Sequence, residues 1–157
     1  MSKRFILPLA ALATSTLAAC DSGDTPSGET TAEAEEAAEL GPEAVIEAYY
    51  DALGRRDYDT AWQLWGKDAG TDPDAFEAFK DGFENTELTT AEIGALSAPE
   101  TANGFLTVSI PVRVEDLLSD GTGRSYTGSY TLRRSSGETG GWHISAGDLN
   151  VAPATVE

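Results

Sequence analysis

The chain has 157 residues, a formal net charge of −17, one cysteine and one histidine. A surface of that sign does not neutralise phosphates, which argues against nucleic acid as a partner. One cysteine and one histidine cannot assemble a zinc-type cluster, and the sequence carries no glycine-rich phosphate loop, nucleophile elbow or internal repeat, so no metal and no cofactor are expected.

At the start, Lys3 and Arg4 precede an apolar run from Phe5 to Ala19 that contains no acid. A basic segment followed by an apolar one is the pattern of a signal peptide. The run falls short of the roughly 20 apolar residues a spanning helix needs, is interrupted by Pro8 and ends at Cys20 and Asp21. Residues 1–19 are therefore expected to be a signal peptide. The sequence Leu17, Ala18, Ala19, Cys20 resembles the lipobox of bacterial lipoproteins, in which the cysteine is diacylated, typically with palmitate-like chains, and becomes the new N-terminus. The resemblance implies a periplasmic, lipid-anchored protein of the cell envelope, with membrane lipid as the partner of Cys20. By likeness to enterobacterial sorting rules, Asp21 favours the inner membrane. The alternative is a secreted protein with Cys20 left as a free thiol, a liability in an oxidising compartment.

From Asp21 to Leu40 the chain has seven acids, no base and no aromatic residue. Such a segment buries too little apolar surface to offset its ordering entropy. Residues 20–40 are thus expected to be the lipidated cysteine and a disordered acidic linker, spanning on the order of 25 Å as a coil. Its second half, "TAEAEEAAEL", has the composition of a marginal helix that could extend the first domain helix backwards. Residues 41–157 are expected to form one domain that folds without the linker.

That domain opens with three helices. Pro42 suits a first helical position, and Val45, Ile46, Tyr49, Tyr50 and Leu53 share one face, with Gly54 placed to close the helix. Asp57 caps a second helix whose Tyr58, Ala61, Trp62 and Trp65 form an apolar face. Asp72 and Pro73 begin a third, with Phe76, Phe79 and Phe83 at helical spacing.

Beyond Asn85 the period becomes two. A strand is expected over 88–96. Leu106, Val108, Ile110, Val112 and Val114 alternate on one face of the next, where Pro111 points to an edge or a bulge. "SDGTG" marks a hairpin turn before a strand with Tyr126, Gly128, Tyr130 and Leu132 on one parity. In the last strand Trp142 and Ile144 share a parity that Leu149 breaks, so a bulge is expected near Gly147. The fold class is α+β, with three N-terminal helices on a curved antiparallel sheet of about four strands.

The stretch "VIEAYYDALGRRDYDTAWQLW", together with the final "GSYTLRR" and "GWHIS" strands, resembles the NTF2-like superfamily, which includes ketosteroid isomerase and the SnoaL-like proteins. The resemblance covers about Gly41 to Val151 and implies a cone-shaped sheet wrapped on a helix with a pocket at its open end. It also implies that Tyr49 aligns with the tyrosine that donates to a developing enolate in the isomerases, and that the dehydratases' histidine and aspartate have His143 and Asp148 as their candidates here. The isomerases' carboxylates have no matching positions, so no catalytic residue is assigned. Alternation sends His143 to the outer face, away from Trp142 and Ile144, where it reads as solvated. The Arg55–Arg56 and Arg133–Arg134 pairs likewise read as solvated cations.

Tyr49, Trp65 and Phe79 read first as core, and otherwise as parts of an aromatic cup for a small apolar ligand. The expected function is non-catalytic small-ligand binding or protein assembly. An isomerase or dehydratase is the first alternative. The second is a dimerisation module that pairs with itself or with another envelope protein.

The tether has a direct test. Cys20→Ser is expected to abolish labelling by a radioactive fatty acid and to leave the precursor uncleaved; membrane partitioning that survives a carbonate wash would refute lipid anchoring.

Overall fold

A computed structural model describes residues 27–66, 72–137 and 141–152 of the chain, with side chains from residue 32 onward. The signal peptide, Cys20 and the first linker residues lie outside the described residues. Four helices come first: α1 (Ser27–Leu40), α2 (Pro42–Arg55), α3 (Tyr58–Gln63) and α4 (Pro73–Gly82). Five strands follow: β1 (Thr86–Ile93), β2 (Glu100–Ala102), β3 (Phe105–Leu118), β4 (Gly123–Ser135) and β5 (His143–Val151). All pairings are antiparallel, in the order β1-β3-β4-β5, and short β2 continues the edge that β1 begins along β3. No helix among the described residues is long and apolar enough to cross a membrane.

The helix signals act where the sequence places them. Pro42 starts α2, and the Asp57 carboxylate accepts from the Thr60 amide at 3.2 Å and the Thr60 hydroxyl at 2.7 Å. The Asp72 carboxylate accepts from the Asp74 amide at 3.0 Å. Gly54 does not close α2; the helix runs one residue further, and Arg56 takes the left-handed conformation at φ 61°.

The core lies between α2 and the concave sheet face. Val45, Ile46, Tyr49, Tyr50 and Leu53 of α2 meet Val108, Ile110, Val112 and Val114 of β3 and Tyr130 and Leu132 of β4, all buried. Pro111 does not mark an edge strand. It lies within 14-residue β3, and its carbonyl accepts from Gly94 at 2.8 Å where β1 ends. Because a residue's amide and carbonyl point to the same side of an antiparallel strand, the donor that proline lacks would face the gap between β1 and β2.

Short β2 adds a fifth strand to the expected sheet of about four, and the bulge expected near Gly147 is present slightly earlier in β5. The bulge in β5 falls at Ser145, since Thr131 pairs with Ala146 while Leu132 pairs with Ile144. That extra residue turns Gly147 and Leu149 inward, opposite Tyr130 and Gly128. Gly128 permits the close approach, because a Cβ there would lie 1.8 Å from the Asp148 carbonyl oxygen.

The larger departure concerns the linker. Ser27–Leu40 is helical where a disordered segment through residue 40 is expected, and it is separate from α2, because Gly41 breaks the path at φ 138°, a conformation reserved for glycine. Ala34 and Ala37 are buried, the Trp142 amide donates to the Ala38 carbonyl at 2.9 Å, and Arg55 pairs with Glu33 at 2.6 Å. The helix survives its weak apolar content because its small alanine face lets backbone come close: a Cβ on Gly141 would meet that of Ala38 at 2.5 Å. The folded unit therefore begins before Gly41. The exposed Arg55–Glu33 pair adds little, so most of the docking rests on buried area and the Trp142 bond.

A chain starting at Gly41 is accordingly expected to remain folded but to lose roughly 1–3 kcal/mol relative to one starting at Asp21. Denaturant melts of both measure this, and equal midpoints would show that α1 is only loosely attached.

Candidate functional site

The open end of the cone holds a cavity of about 180 Å³. Tyr49, Tyr50 and Leu53 of α2 and Tyr130 of β4 line its inner wall; Phe83, Val114, Asp116, Tyr126 and Leu149 complete it. Helical spacing puts both tyrosines of α2 on the face that meets the sheet. Period-two alternation brings Val114 and Asp116 of β3, and Tyr126 and Tyr130 of β4, to the same concave surface.

Three phenols converge inside. Tyr49, Tyr50 and Tyr130 are at most 8 % exposed, and the Tyr50 and Tyr130 hydroxyls share a hydrogen bond of 2.9 Å across the helix–sheet interface. Their rings meet edge to face, at centroid distances of 5.2 Å for Tyr49–Tyr50, 5.9 Å for Tyr49–Tyr130 and 6.2 Å for Tyr50–Tyr130. Such arrangements place the positive edge of one ring on the negative face of another. Burial is the main cause that pushes all three phenols above their ordinary range, and the charge of Asp116 acts in the same direction on each. At neutral pH the cup is lined by protonated phenols.

Asp116 is the only carboxylate among the described residues that line this cavity. Its Oδ1 is buried without a hydrogen-bond partner, as are Trp65 Nε1 and the hydroxyl of Thr89, which pairs with Asp116 across β1 and β3. Arg124 stands opposite Asp116 on β4 and forms no ion pair with it.

Of the residues singled out in the sequence, Tyr49 lines the cavity. Trp65 packs behind it, 6.1 Å from Tyr49 and 6.2 Å from Tyr130 between ring centroids. Phe79 stacks on Phe76, meets Trp62 at a tilt and Phe83 edge to face, and reaches the cavity only through Phe83. His143 and Asp148 do not come together at the cup. His143 is half-buried against Gly66 at the sheet margin, not solvated, and its Nε2 accepts from Arg133 Nε at 3.4 Å. Asp148 is exposed and accepts from Asn150 at 3.2 Å. The paired arginines are also engaged: Arg133 lies over Phe105 and Arg134 over Trp142.

Tyr50, Leu53, Phe83, Val114, Tyr126, Tyr130 and Leu149 also line the cavity, on faces that the periodicity indicates, and Asp116 is the lining residue not expected from the sequence. A signal for it is present, since Asp116 follows Val112 and Val114 by the same step of two.

The outer sheet face offers a contrast. Ser109, Arg113, Glu115, Thr127 and Thr131 occupy it, and among its large apolar side chains Leu88 and Leu117 are exposed as a cross-strand pair. A depression of about 660 Å³ near them is wide, and charged groups of both signs line it. Asp116 borders this depression as well as the cup, whereas the three buried phenols line the cup and not the depression.

The phenols make the fold sensitive to alkali. Their folded pKa values lie above the unfolded value of about 10, so their stabilising effect is complete below that pH and lost as pH rises through the folded values. Denaturant melts are expected to show stability falling above about pH 10, by about 1.4 kcal/mol per pH unit for each phenol still protonated in the fold. Tyr130→Phe is expected to reduce that slope while lowering stability at neutral pH by about 1–3 kcal/mol, because Tyr50 loses its partner.

No protein-family model and no curated protein matches the sequence. Solved structures do. A ketosteroid isomerase-like protein from Erwinia carotovora atroseptica is 19% identical with a TM-score of 0.53, covering 78% of this chain and 98% of its own. A scytalone dehydratase candidate from Novosphingobium aromaticivorans is 14% identical with a TM-score of 0.55, covering 80% and 88%. An NTF2-like superfamily protein from Salmonella enterica is 16% identical with a TM-score of 0.51, covering 81% and 96%. At these identities the shared property is the fold, and the helices seated in a curved antiparallel sheet give this chain the NTF2-like fold.

Proposed function

We propose that this chain is a lipid-anchored protein of the cell envelope whose NTF2-like domain binds a small ligand in its cone. The anchoring part rests on the Leu-Ala-Ala-Cys signal ending at Cys20. The binding part rests on one observation: a concave, aromatic-walled cavity whose sole lining carboxylate, among the described residues, has a buried oxygen without a partner. Apolar walls with a few convergent polar groups are the usual make-up of a ligand site. At about 180 Å³ the cavity suits something smaller than the ligands that fill pockets of about 300–1,000 Å³.

A second reading, proton transfer at an enolisable carbon, is favoured by the buried, protonated Tyr49 phenol in the same cup as Asp116, in line with the ketosteroid isomerase-like and dehydratase names of two fold neighbours. It ranks second because His143 and Asp148 lie away from the cup and one carboxylate would have to serve as both acid and base.

A fragment screen by NMR separates the two. Small uncharged or charged fragments are expected to shift the resonances of Tyr126 and Leu149, and Leu149→Trp, which fills the cavity, is expected to abolish those shifts while the domain stays folded. Tyr49→Phe is expected to cost about 0.5–1.5 kcal/mol of stability. Hydrogen exchange into a ketone panel that disappears in Tyr49→Phe would establish the second reading instead.

A further inference from the structure

The chemistry of the cup narrows its ligand, provided that the ligand-binding reading above holds. Tyr49, Tyr50, Tyr126, Tyr130 and Phe83 supply five rings, and Asp116 supplies the one charge on the lining among the described residues. The ring faces carry negative potential, which attracts cations and adds to the field of the carboxylate. The whole chain, at −17, deepens the attraction for positive solutes.

The carboxylate is not already satisfied from within. Asp116 Oδ1 has no hydrogen-bond partner, the Thr89 hydroxyl opposite does not donate to it, and Arg124 on the other flanking strand makes no ion pair with it. Asp116 is half-buried, its Oδ1 is closed to solvent without a partner, and a carboxylate that no cation among the described residues answers attracts a positive ligand to its accessible side. An anion is excluded by charge. A neutral apolar molecule would cover the carboxylate without answering it.

The type of cation follows from the same inventory. A bare metal ion requires several oxygen donors, and among the described residues no group of three carboxylate, histidine or cysteine side chains forms. A primary ammonium carries three N–H donors, each needing an acceptor when it leaves water. Two of the phenols already bond each other. A methylated ammonium carries few or no N–H groups, sheds water readily, and presents methyl groups that match aromatic walls.

We propose that the cup binds a small methylated ammonium ion, its charge against Asp116 and its methyl groups against the rings of Phe83, Tyr126 and Tyr130.

Choline is a suitable probe, and the alcohol in which carbon replaces its nitrogen is the uncharged control of the same shape. Titration calorimetry with the unmodified protein is expected to show choline bound at least about tenfold more tightly than the control. Asp116→Asn is expected to remove most of that preference while leaving the melting transition in place. Tyr126→Phe keeps the ring and is expected to retain it, whereas Tyr126→Leu weakens choline more than the control. Equal affinity for choline and the control would overturn the cation assignment and leave the ligand-binding reading standing. Binding of an uncharged fragment in the cup with no binding of choline would do the same. No binding of choline, control or fragment would overturn both. If Asp116→Asn does not fold, the comparison of choline with its control on the unmodified protein still decides.

Discussion

A hydrogen bond between two phenols, Tyr50 on the helix and Tyr130 on the sheet, fixes how α2 lies in the concave face. Either hydroxyl alone would be a buried polar atom with nowhere to turn, and together they satisfy each other inside an otherwise apolar core. That mutual need holds the helix at one rotation about its axis. Val45 and Ile46 then pack on the sheet, and Tyr49 faces the open end of the cone. The rings around the bond, in edge-to-face contact with Trp65 behind them, leave few alternatives for rearrangement. Gly147 belongs to the same arrangement, since a Cβ there would stand 2.8 Å from the Tyr130 ring.

Much of this was written in periodicities. The stripe on α2, the alternation along β3 and β4, the aspartate caps and the proline starts are local devices, and they act locally in the structure. What escaped the sequence depends on distant partners. The sequence offers residues 31–40 as a marginal helix but not its docking, because Ser27–Leu40 has almost no apolar stripe and is held by packing on α2 and α3 and by the Trp142 amide, about a hundred residues away in the chain. Short β2 has no buried residue to announce it and exists because β1 leaves the edge of β3 vacant. Pro111 illustrates the same limit: its residue type says that a donor is missing, but only the topology says on which side the donor is not needed.

The site was legible in its parts and not in its assembly. Tyr49 could be assigned to a pocket by resemblance, and the inward parity of Tyr126 and Tyr130 was visible. Asp116 was hidden by being acidic at the end of an apolar run, where a reader of patterns stops counting. The aromatic cluster of Trp62, Phe76 and Phe79 had the opposite problem. It reads as a candidate wall, yet these rings mostly hold α4 against α3 and touch the cup only through Phe83.

The extra residue in β5 also governs composition. A ladder running regularly through Ser145 would set Asp148, not Leu149, opposite Gly128, since one step of register exchanges the two faces of a strand. The cup would then hold two carboxylates in place of one, without any change in the residues that form it. Whether such a cone is an aromatic receptor or a site equipped for acid–base exchange is therefore decided in the backbone, by one inserted residue. Gly128, pressed against the Asp148 carbonyl, keeps the present choice in place.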